Sequence, residues 1–269
     1  MLPFENALAF TRYVTMWLLW DDEVAESPTR MEALELDFAA MAGLPLPEEA
    51  RTPYREAWVQ TGDAIERLGG SSALRKRWVL SMREFARHAL LAGELCRGPS
   101  PDVRSSAEAL RLRTFTIGLI PTLIYEEACC GVELPDALAR SDDYREFCLR
   151  ASIVMGIQND LASLAKDFQQ GSLNTNLVLR HWSRTGCSLQ EAYGALIDIH
   201  DKAIDTFDAL AERLLSRVAP PLRERVATYF DSVRFVETGF GFFHVHAHRY
   251  ARWTAMEGGC AHRFELTRR

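Results

Sequence analysis

The chain has little glycine or proline, no excess of charge of one sign and no long apolar run. Glycine and proline number only 16 and 11 among 269 residues, which excludes collagen-like and low-complexity chains. The 31 basic and 37 acidic residues are mixed along the chain, so the net charge of −6 provides no basic face for nucleic acid or anionic lipid. No segment reaches the ~18 uncharged apolar residues that a membrane-spanning helix requires. We therefore expect a globular, cytoplasmic protein.

Cysteine is also sparse, and its distribution argues against structural disulfides. The six cysteines are Cys96, Cys129, Cys130, Cys148, Cys187 and Cys260. None forms a CxxC pair, and the chain is large enough to build a core without cross-links, so we expect reduced thiols. Glu5 and Arg12 interrupt the apolar N-terminal segment, and no basic n-region or small-residue cleavage site marks a signal peptide.

Strand signals are almost absent, whereas apolar residues recur every three or four positions along nearly the whole sequence. This pattern predicts an all-α protein of eight to ten helices. Turn-forming residues mark breaks at 43–47, 69–72, 97–101, 131–135, 171–175, 185–188 and 219–221. None of these breaks is long enough for an interdomain linker, so residues 1–269 are expected to form one domain. Ser188 and Glu191 predict a capping box that opens the helix over 192–214, with Pro220 and Pro221 in the turn after it.

An acidic cluster follows the apolar segment 14–20. Its members are Asp21, Asp22, Glu23 and Glu26. Carboxylates at the end of a buried helix are costly unless a cation compensates them, and clustered oxygen ligands suit Mg²⁺. The alternative is a helix that simply emerges into solvent at this point.

A second polar group lies on a predicted helix beyond the middle of the chain. Asn159, Ser163 and Asp167 are spaced i, i+4 and i+8, so three oxygen donors line one helix face and can hold one divalent ion. Lys166 is adjacent and could reach a phosphate oxygen that the ion also bridges. The alternative is the polar stripe of a surface helix, although the flanking segments 153–157 and 177–179 are strongly apolar.

The two groups together resemble the class I terpene synthases of bacterial type. That family carries an Asp-rich motif on one helix facing an Asn/Ser/acid metal triad on another. Here the Asp-rich motif would be Asp21-Asp22-x-x-x-Glu26, and the triad is the row just described. The acid of this triad is Asp where Glu is usual, and the distal acid Glu26 comes one residue later than in the commonest pattern. Only 20 residues precede Asp21, so the segment that usually covers the pocket mouth is expected to be missing.

Two further motifs fall where that family has them. Arg113 occupies the position of its diphosphate-sensing arginine and is followed by Thr116-Ile117-Gly118, where such enzymes place a helix break. Arg249-Tyr250 resembles the terminal Arg-Tyr pair that bonds the diphosphate.

The resemblance implies a single catalytic domain, a helical bundle of the class I type with a central apolar cavity. Its substrate would be an isoprenyl diphosphate such as farnesyl (C15) or geranylgeranyl (C20) diphosphate, ionised with three Mg²⁺ ions and cyclised to a terpene hydrocarbon or alcohol. Relatives often dimerise, so a homodimer is a possible state. The implied metal ligands are Asp21, Asp22, Glu26, Asn159, Ser163 and Asp167, and the implied diphosphate ligands are Arg113, Lys166, Arg249 and Tyr250.

An aromatic face could stabilise the carbocation without trapping it. Trp17, one turn before Asp21, and Phe242 or Phe243 are candidates for this role, and each is equally well explained as an ordinary core residue. By analogy with the family, the break at Gly118 could direct a backbone carbonyl at the cation.

Two patterns imitate other sites. Asp142-Asp143-Tyr-Arg-Glu146 spells a second DDxxE, but Asp143 and Asn159 on one helix would be about 24 Å apart, so first-turn acids are the simpler interpretation. His244 and His248 have the spacing of a zinc pair but no acidic third ligand, so surface or core histidines are expected. A prenyltransferase of the same fold and a non-catalytic helical scaffold remain alternative functions.

Overall fold

The computed structural model describes residues 3–26, 31–97 and 105–246, and every regular element in that part of the chain is helical. The helices are α1 (Phe4–Glu26), α2 (Glu35–Met41), α3 (Pro53–Arg67), α4 (Ser72–Arg97), α5 (Ser106–Thr116), α6 (Leu119–Cys129), α7 (Asp136–Ala139), α8 (Asp142–Ala162), α9 (Leu164–Gln169), α10 (Leu177–Thr185), α11 (Leu189–Ser216) and α12 (Pro220–His246). Short 3₁₀ segments cover Met31–Leu34 and Glu48–Ala50. The prediction of an all-α chain is confirmed. The predicted helix number is too low, because α2, α7 and α9 are too short to give a periodic apolar pattern.

Side-chain caps define where several helices begin. Thr52 caps α3, whose first residue is proline. Ser105 and Ser188 form capping boxes at α5 and α11, and the second of these confirms the sequence prediction. The expected turn at Pro220 is wrong in detail: this proline is the first residue of α12, where its missing N–H and fixed φ are tolerated.

Helix α8 lies at the centre of the bundle and packs against α5, α6, α10, α11 and α12. It is buried along most of its length, as its predominantly apolar sequence from Phe147 to Ile157 requires. An aromatic core joins α1, α3, α4 and α6, where the Tyr13 ring stacks on Tyr125 with centroids 4.4 Å apart. This core fixes one face of α1, and two further apolar clusters hold two sides of α8.

Helices α1 and α6 run antiparallel, and three contacts set their register. Asn6 Nδ2 donates to the Cys129 carbonyl at 2.7 Å, and the Tyr13 hydroxyl lies 3.2 Å from that of Thr122. The Trp17 indole lies against Gly118. The C-terminal end of α1, which carries Asp21, is therefore level with the junction of α5 and α6.

The predicted helix break at Gly118 is confirmed. Gly118 has a φ of 72°, in the left-handed region, between the end of α5 and the start of α6. A Cβ at this position would lie 2.2 Å from Cζ2 of Trp17. Pro121 adds to the break because it has no N–H to donate to the carbonyl of Ile117 four residues earlier.

The sequence predicts no membrane-spanning helix and reduced cysteines. None of the helices in the described ranges combines the length and apolarity needed to cross a bilayer. Among the cysteines whose side chains the structure describes, Cys129, Cys130, Cys148 and Cys187 are free thiols.

Gly118→Ala should lower the free energy of unfolding by roughly 2–5 kcal/mol, because it adds left-handed backbone strain to overlap with Trp17. Gly131 is the matched control: its φ is 63°, but a Cβ there would meet nothing within 4 Å. Gly131→Ala should cost only about 1–2 kcal/mol of strain. Urea unfolding of both variants measures the difference, and equal losses would show that the Trp17 contact does not constrain the break.

Candidate functional site

The predicted donor row lies where α8 passes into α9. Ser163 is the residue between these helices, so the single predicted helix is divided in two. The backbone nevertheless keeps i→i+4 hydrogen bonds from Ser163 N to the Asn159 carbonyl and from Asp167 N to the Ser163 carbonyl, both 2.8 Å long. The side chains of Asn159, Ser163 and Asp167 therefore stay on one face. Lys166 is partly buried next to this row.

Asp167, the last residue of the row, is held by two hydrogen bonds. Ser163 Oγ donates to Asp167 Oδ2 at 2.5 Å, and Asn176 Nδ2 donates to the same oxygen at 2.9 Å. Asn176 also donates to the Asp160 carbonyl at 2.7 Å, and its own side-chain oxygen caps α10. The sequence analysis missed this buried residue, although an asparagine just before an apolar helix is a recognisable N-cap signal.

Arg113 connects α5 to the start of the donor row. Its Nη2 donates to Asn159 Oδ1 at 2.7 Å, and its Nε donates to Asp160 Oδ1 at 3.0 Å. The arginine stem crosses α8 at Gly156, where even a Cβ would approach Arg113 Cγ to 3.3 Å. The guanidinium is thus fixed between two side chains of α8.

Asp160 is a buried acid that the sequence analysis did not select. Its side chain is 3% exposed, forms an ion pair with Arg113 and accepts from the Leu177 amide at 2.8 Å. Burial raises the pKa of Asp160 to about 6, with Arg113 and the Leu177 amide opposing the rise. An acid beside Asn159 in an otherwise apolar segment was the available signal.

His244 brings α12 to the same site. It is buried, and its Nε2 accepts from Asn159 Nδ2 at 3.0 Å. Its burial matches one of the two environments expected for it, but its contact with Asn159 was not foreseen. His248, the other half of the zinc-like pair, lies outside the described residues. Within those residues, histidine, cysteine and acidic side chains nowhere gather in threes that could hold a metal.

The Asp-rich motif occupies the C-terminal end of α1. Asp21 is partly exposed, and Asp22 and Glu26 follow it on the same helix, with side chains outside the described set. The contact of Trp17 with Gly118, five residues after Arg113, places Asp21 at the same end of the bundle as the donor row. The predicted diphosphate ligands Arg249 and Tyr250 lie outside the described residues.

A cavity of about 970 Å³ lies between α1, α6 and α12. Its walls are predominantly apolar, and Thr15 and Phe235 in them are exposed, so it opens to solvent between α1 and α12. Leu18, one turn before Asp21, and Phe243, the neighbour of His244, both line it. One end of the cavity therefore adjoins the polar residues described above.

The candidate aromatic residues occupy different environments. Trp17 is 6% exposed and packs edge-on against Phe85 in the core. Phe243 lines the cavity, whereas Phe242 is 67% exposed and lies 4.1 Å from the His246 ring. The Gly118 carbonyl accepts a hydrogen bond from the Thr122 hydroxyl at 3.0 Å.

The second DDxxE sequence has a structural explanation. Asp142 and Asp143 are in the first turn of α8, after the cap residue Ser141, as expected. Asp143 accepts ion pairs from Arg213 and Arg217 of the α11 end, both at 2.7 Å. These acids lie at the opposite end of α8 from Asn159.

Comparison with known proteins identifies relatives of this chain. A family model described as terpene synthase family 2, C-terminal metal binding, matches residues 12–206. Pristinol synthase of Streptomyces pristinaespiralis is 29% identical over 209 residues, which are 73% of this chain and 54% of that protein. Isoafricanol synthase of Streptomyces violaceusniger is 29% identical over 214 residues, 77% of this chain and 55% of that protein. The matches thus span just over half of each relative.

Solved structures share the fold at low sequence identity. The 2-methylisoborneol synthase from Streptomyces coelicolor, solved with Mg²⁺ and 2-fluoroneryl diphosphate, has a TM-score of 0.77 at 20% identity, covering 92% of this chain and 79% of that one. Linalool/nerolidol synthase from Streptomyces clavuligerus has a TM-score of 0.72 at 23% identity, covering 87% and 79%. The chain therefore has the all-α fold of the class I terpene synthases.

Asn176→Ala should lower the free energy of unfolding by roughly 2–4 kcal/mol, because it removes a helix cap and two buried hydrogen bonds. Thr52→Ala, which removes only the cap of α3, is the control and should cost about 1 kcal/mol. Urea unfolding distinguishes the two. A loss no larger than that of Thr52→Ala would mean that the bonds to Asp160 and Asp167 add no stability.

Proposed function

This chain belongs to terpene synthase family 2, and from that premise we propose that it ionises a linear isoprenyl diphosphate and cyclises the carbocation. The products would be diphosphate and a terpene hydrocarbon or alcohol. We assign a C15 or C20 substrate, farnesyl or geranylgeranyl diphosphate. The proposal draws on the named activities of the relatives and on the residues around Arg113.

One observation carries the proposal. Arg113 contacts Asn159, the first residue of an amide, hydroxyl and carboxylate row. His244, which also contacts Asn159, directly follows Phe243, which lines a large apolar cavity. An apolar space suits a prenyl chain, and polar groups at one end suit a diphosphate head. A scaffold has no need to combine a partly buried cation, oxygen donors and a large apolar cavity.

The donor set has the chemistry that Mg²⁺ requires. Asn159, Ser163 and Asp167 offer neutral and charged oxygens from one face, and we assign Asp21, Asp22 and Glu26 as ligands from α1. We propose three ions in all. When bound, Mg²⁺ would offset the charge that develops on the leaving diphosphate.

Arg113 and Asn159 act as a unit in this proposal. The Asn159 oxygen that would face an ion currently accepts from Arg113. Turning that oxygen toward an ion releases a guanidinium N–H, which can then bind diphosphate. Asp160 keeps Arg113 in place during the exchange, since it holds Nε independently. Lys166, Arg249 and Tyr250 are the further diphosphate ligands that we propose.

The cavity walls would hold the hydrocarbon chain and shape the cation. Val14, Leu18 and Phe240 present no nucleophile, and Phe243 offers an aromatic face near the polar end. Exclusion of water from this space decides whether the cation ends as a hydrocarbon or an alcohol. Prenyl transfer or a linear product would use the same first step, so the product identifies the reaction.

Asp21→Ala and Asn159→Ala should each lower product formation by roughly 100-fold or more, because each removes a proposed metal ligand. Asp142→Ala is the matched control, since Asp142 belongs to the structural DDxxE sequence and its side chain is 96% exposed. Incubation with C10, C15 and C20 diphosphates and Mg²⁺, followed by gas chromatography and mass spectrometry, measures each variant. Full turnover by both site variants would remove the metal assignment.

Mg²⁺ together with inorganic pyrophosphate should raise the melting temperature by roughly 5 °C or more at saturating concentration, because both bind only the folded site. Either component alone should have little effect, and EDTA should reverse the shift. Arg113→Met should abolish it. Differential scanning fluorimetry provides the measurement, and no shift in the unaltered chain would favour the scaffold.

A further inference from the structure

The cavity contains a buried carboxyl group at the end remote from the donor row. Only two of the described lining residues are acidic, Glu126 of α6 and Asp231 of α12. Asp231 is 65% exposed and pairs with Arg234 at 2.9 Å, so it belongs to the surface. Glu126 is 1% exposed.

The two oxygens of Glu126 are not equivalent. Oε1 accepts from the Ser232 hydroxyl and from Cys130 Sγ, the latter at 3.7 Å. Oε2 is buried and has no hydrogen-bond partner. A buried carboxylate oxygen without a partner is costly, and a nearby positive charge would offset that cost. Burial raises the pKa of Glu126 to about 7, with the Ser232 and Cys130 bonds opposing the rise.

The position of Glu126 along the cavity follows from α12. Ser232, its partner, precedes His244, the partner of Asn159, by twelve residues, or about 18 Å of helix. An isoprene unit has four carbon–carbon bonds of about 1.5 Å and spans about 5 Å when extended. With its head at the donor row, an extended C15 chain of about 15 Å ends within about 3 Å of the level of Ser232 and Glu126, whereas a C10 chain of about 10 Å ends about 8 Å short of it.

We propose that Glu126 is the base that accepts a proton from the distal part of the cyclised cation. This role rests on the proposed function. A C–H bond next to the cationic carbon breaks, its electron pair becomes the π bond of an alkene, and the proton forms an O–H bond at Oε2. The carboxylic acid returns its proton to water after the product leaves, so no further reactant is needed.

The neighbouring carboxyl group cannot take this role. Glu127 accepts from Arg77, from the Leu134 amide at 3.0 Å and from the Tyr144 hydroxyl at 3.2 Å, so both of its oxygens have partners. It is absent from the described cavity lining. Glu126 is therefore the candidate base, and its buried neighbour Glu127 is the structural control.

Glu126→Gln tests the proposal because it keeps the shape of the side chain and removes the base. With farnesyl diphosphate and Mg²⁺, diphosphate release should stay within about 2-fold of the unaltered chain, because ionisation takes place about 18 Å away. The variant should form the main alkene of the unaltered chain roughly 100-fold more slowly, and alcohols or isomeric alkenes should replace that alkene. With geranyl diphosphate, which is too short, the products should not change.

Glu127→Gln is the control and should leave the farnesyl product profile unchanged, whatever it does to the melting temperature. If Glu126→Gln does not fold, Glu126→Asp decides, because it keeps the charge but withdraws the carboxyl by one methylene and should shift the products in the same direction. Two results would overturn the role of Glu126 while leaving the proposed function intact. One is a Glu126→Gln variant that releases diphosphate and gives an unchanged product profile, and the other is a shift of the product profile in Glu127→Gln as large as that in Glu126→Gln. No diphosphate release by the unaltered chain overturns the proposed function as well.

Discussion

The site depends on the contacts that join Arg113 to Asn159 and Asp160. Through Asn159 the cluster extends to His244 of α12, and through Asp160 it extends to the start of α10. One guanidinium on α5 therefore aligns three other helices around the end of the apolar cavity. Removing one member of such a buried pair leaves an uncompensated charge, so the cluster acts as a unit.

These residues already satisfy one another, so a ligand must exchange partners with them. The Asn159 oxygen and the Ser163–Asp167 pair have internal hydrogen bonds in the present arrangement. In the proposed reaction the same atoms would serve metal and diphosphate, which couples occupation of the site to a rearrangement of α5 against α8. The break at Gly118 lies at the end of α5 and allows that helix to be oriented separately from α6.

Features encoded by local sequence were predictable, and features that depend on distant contacts were not. The helical class and the cap at Ser188 follow from residues close in sequence, and the break at Gly118 was expected from the family resemblance. Asn176 contacts Asp167, nine residues earlier, and His244 contacts Asn159, 85 residues earlier. The residues next to Asn176 and His244 in sequence do not predict these partners. Trp17 and Phe243 are equally aromatic, and only packing places one in the core and the other in the cavity.

The open side of the cavity, between α1 and α12, has a consequence for turnover. In the proposed reaction, a hydrocarbon product would leave between these helices, whereas diphosphate would leave past the Arg113 guanidinium at the polar end. The hydrocarbon would then be able to leave before the diphosphate, and water would be able to enter from this side while the diphosphate is still bound. The ratio of alcohol to alkene products would accordingly measure how much water enters the cavity between α1 and α12 in a given variant.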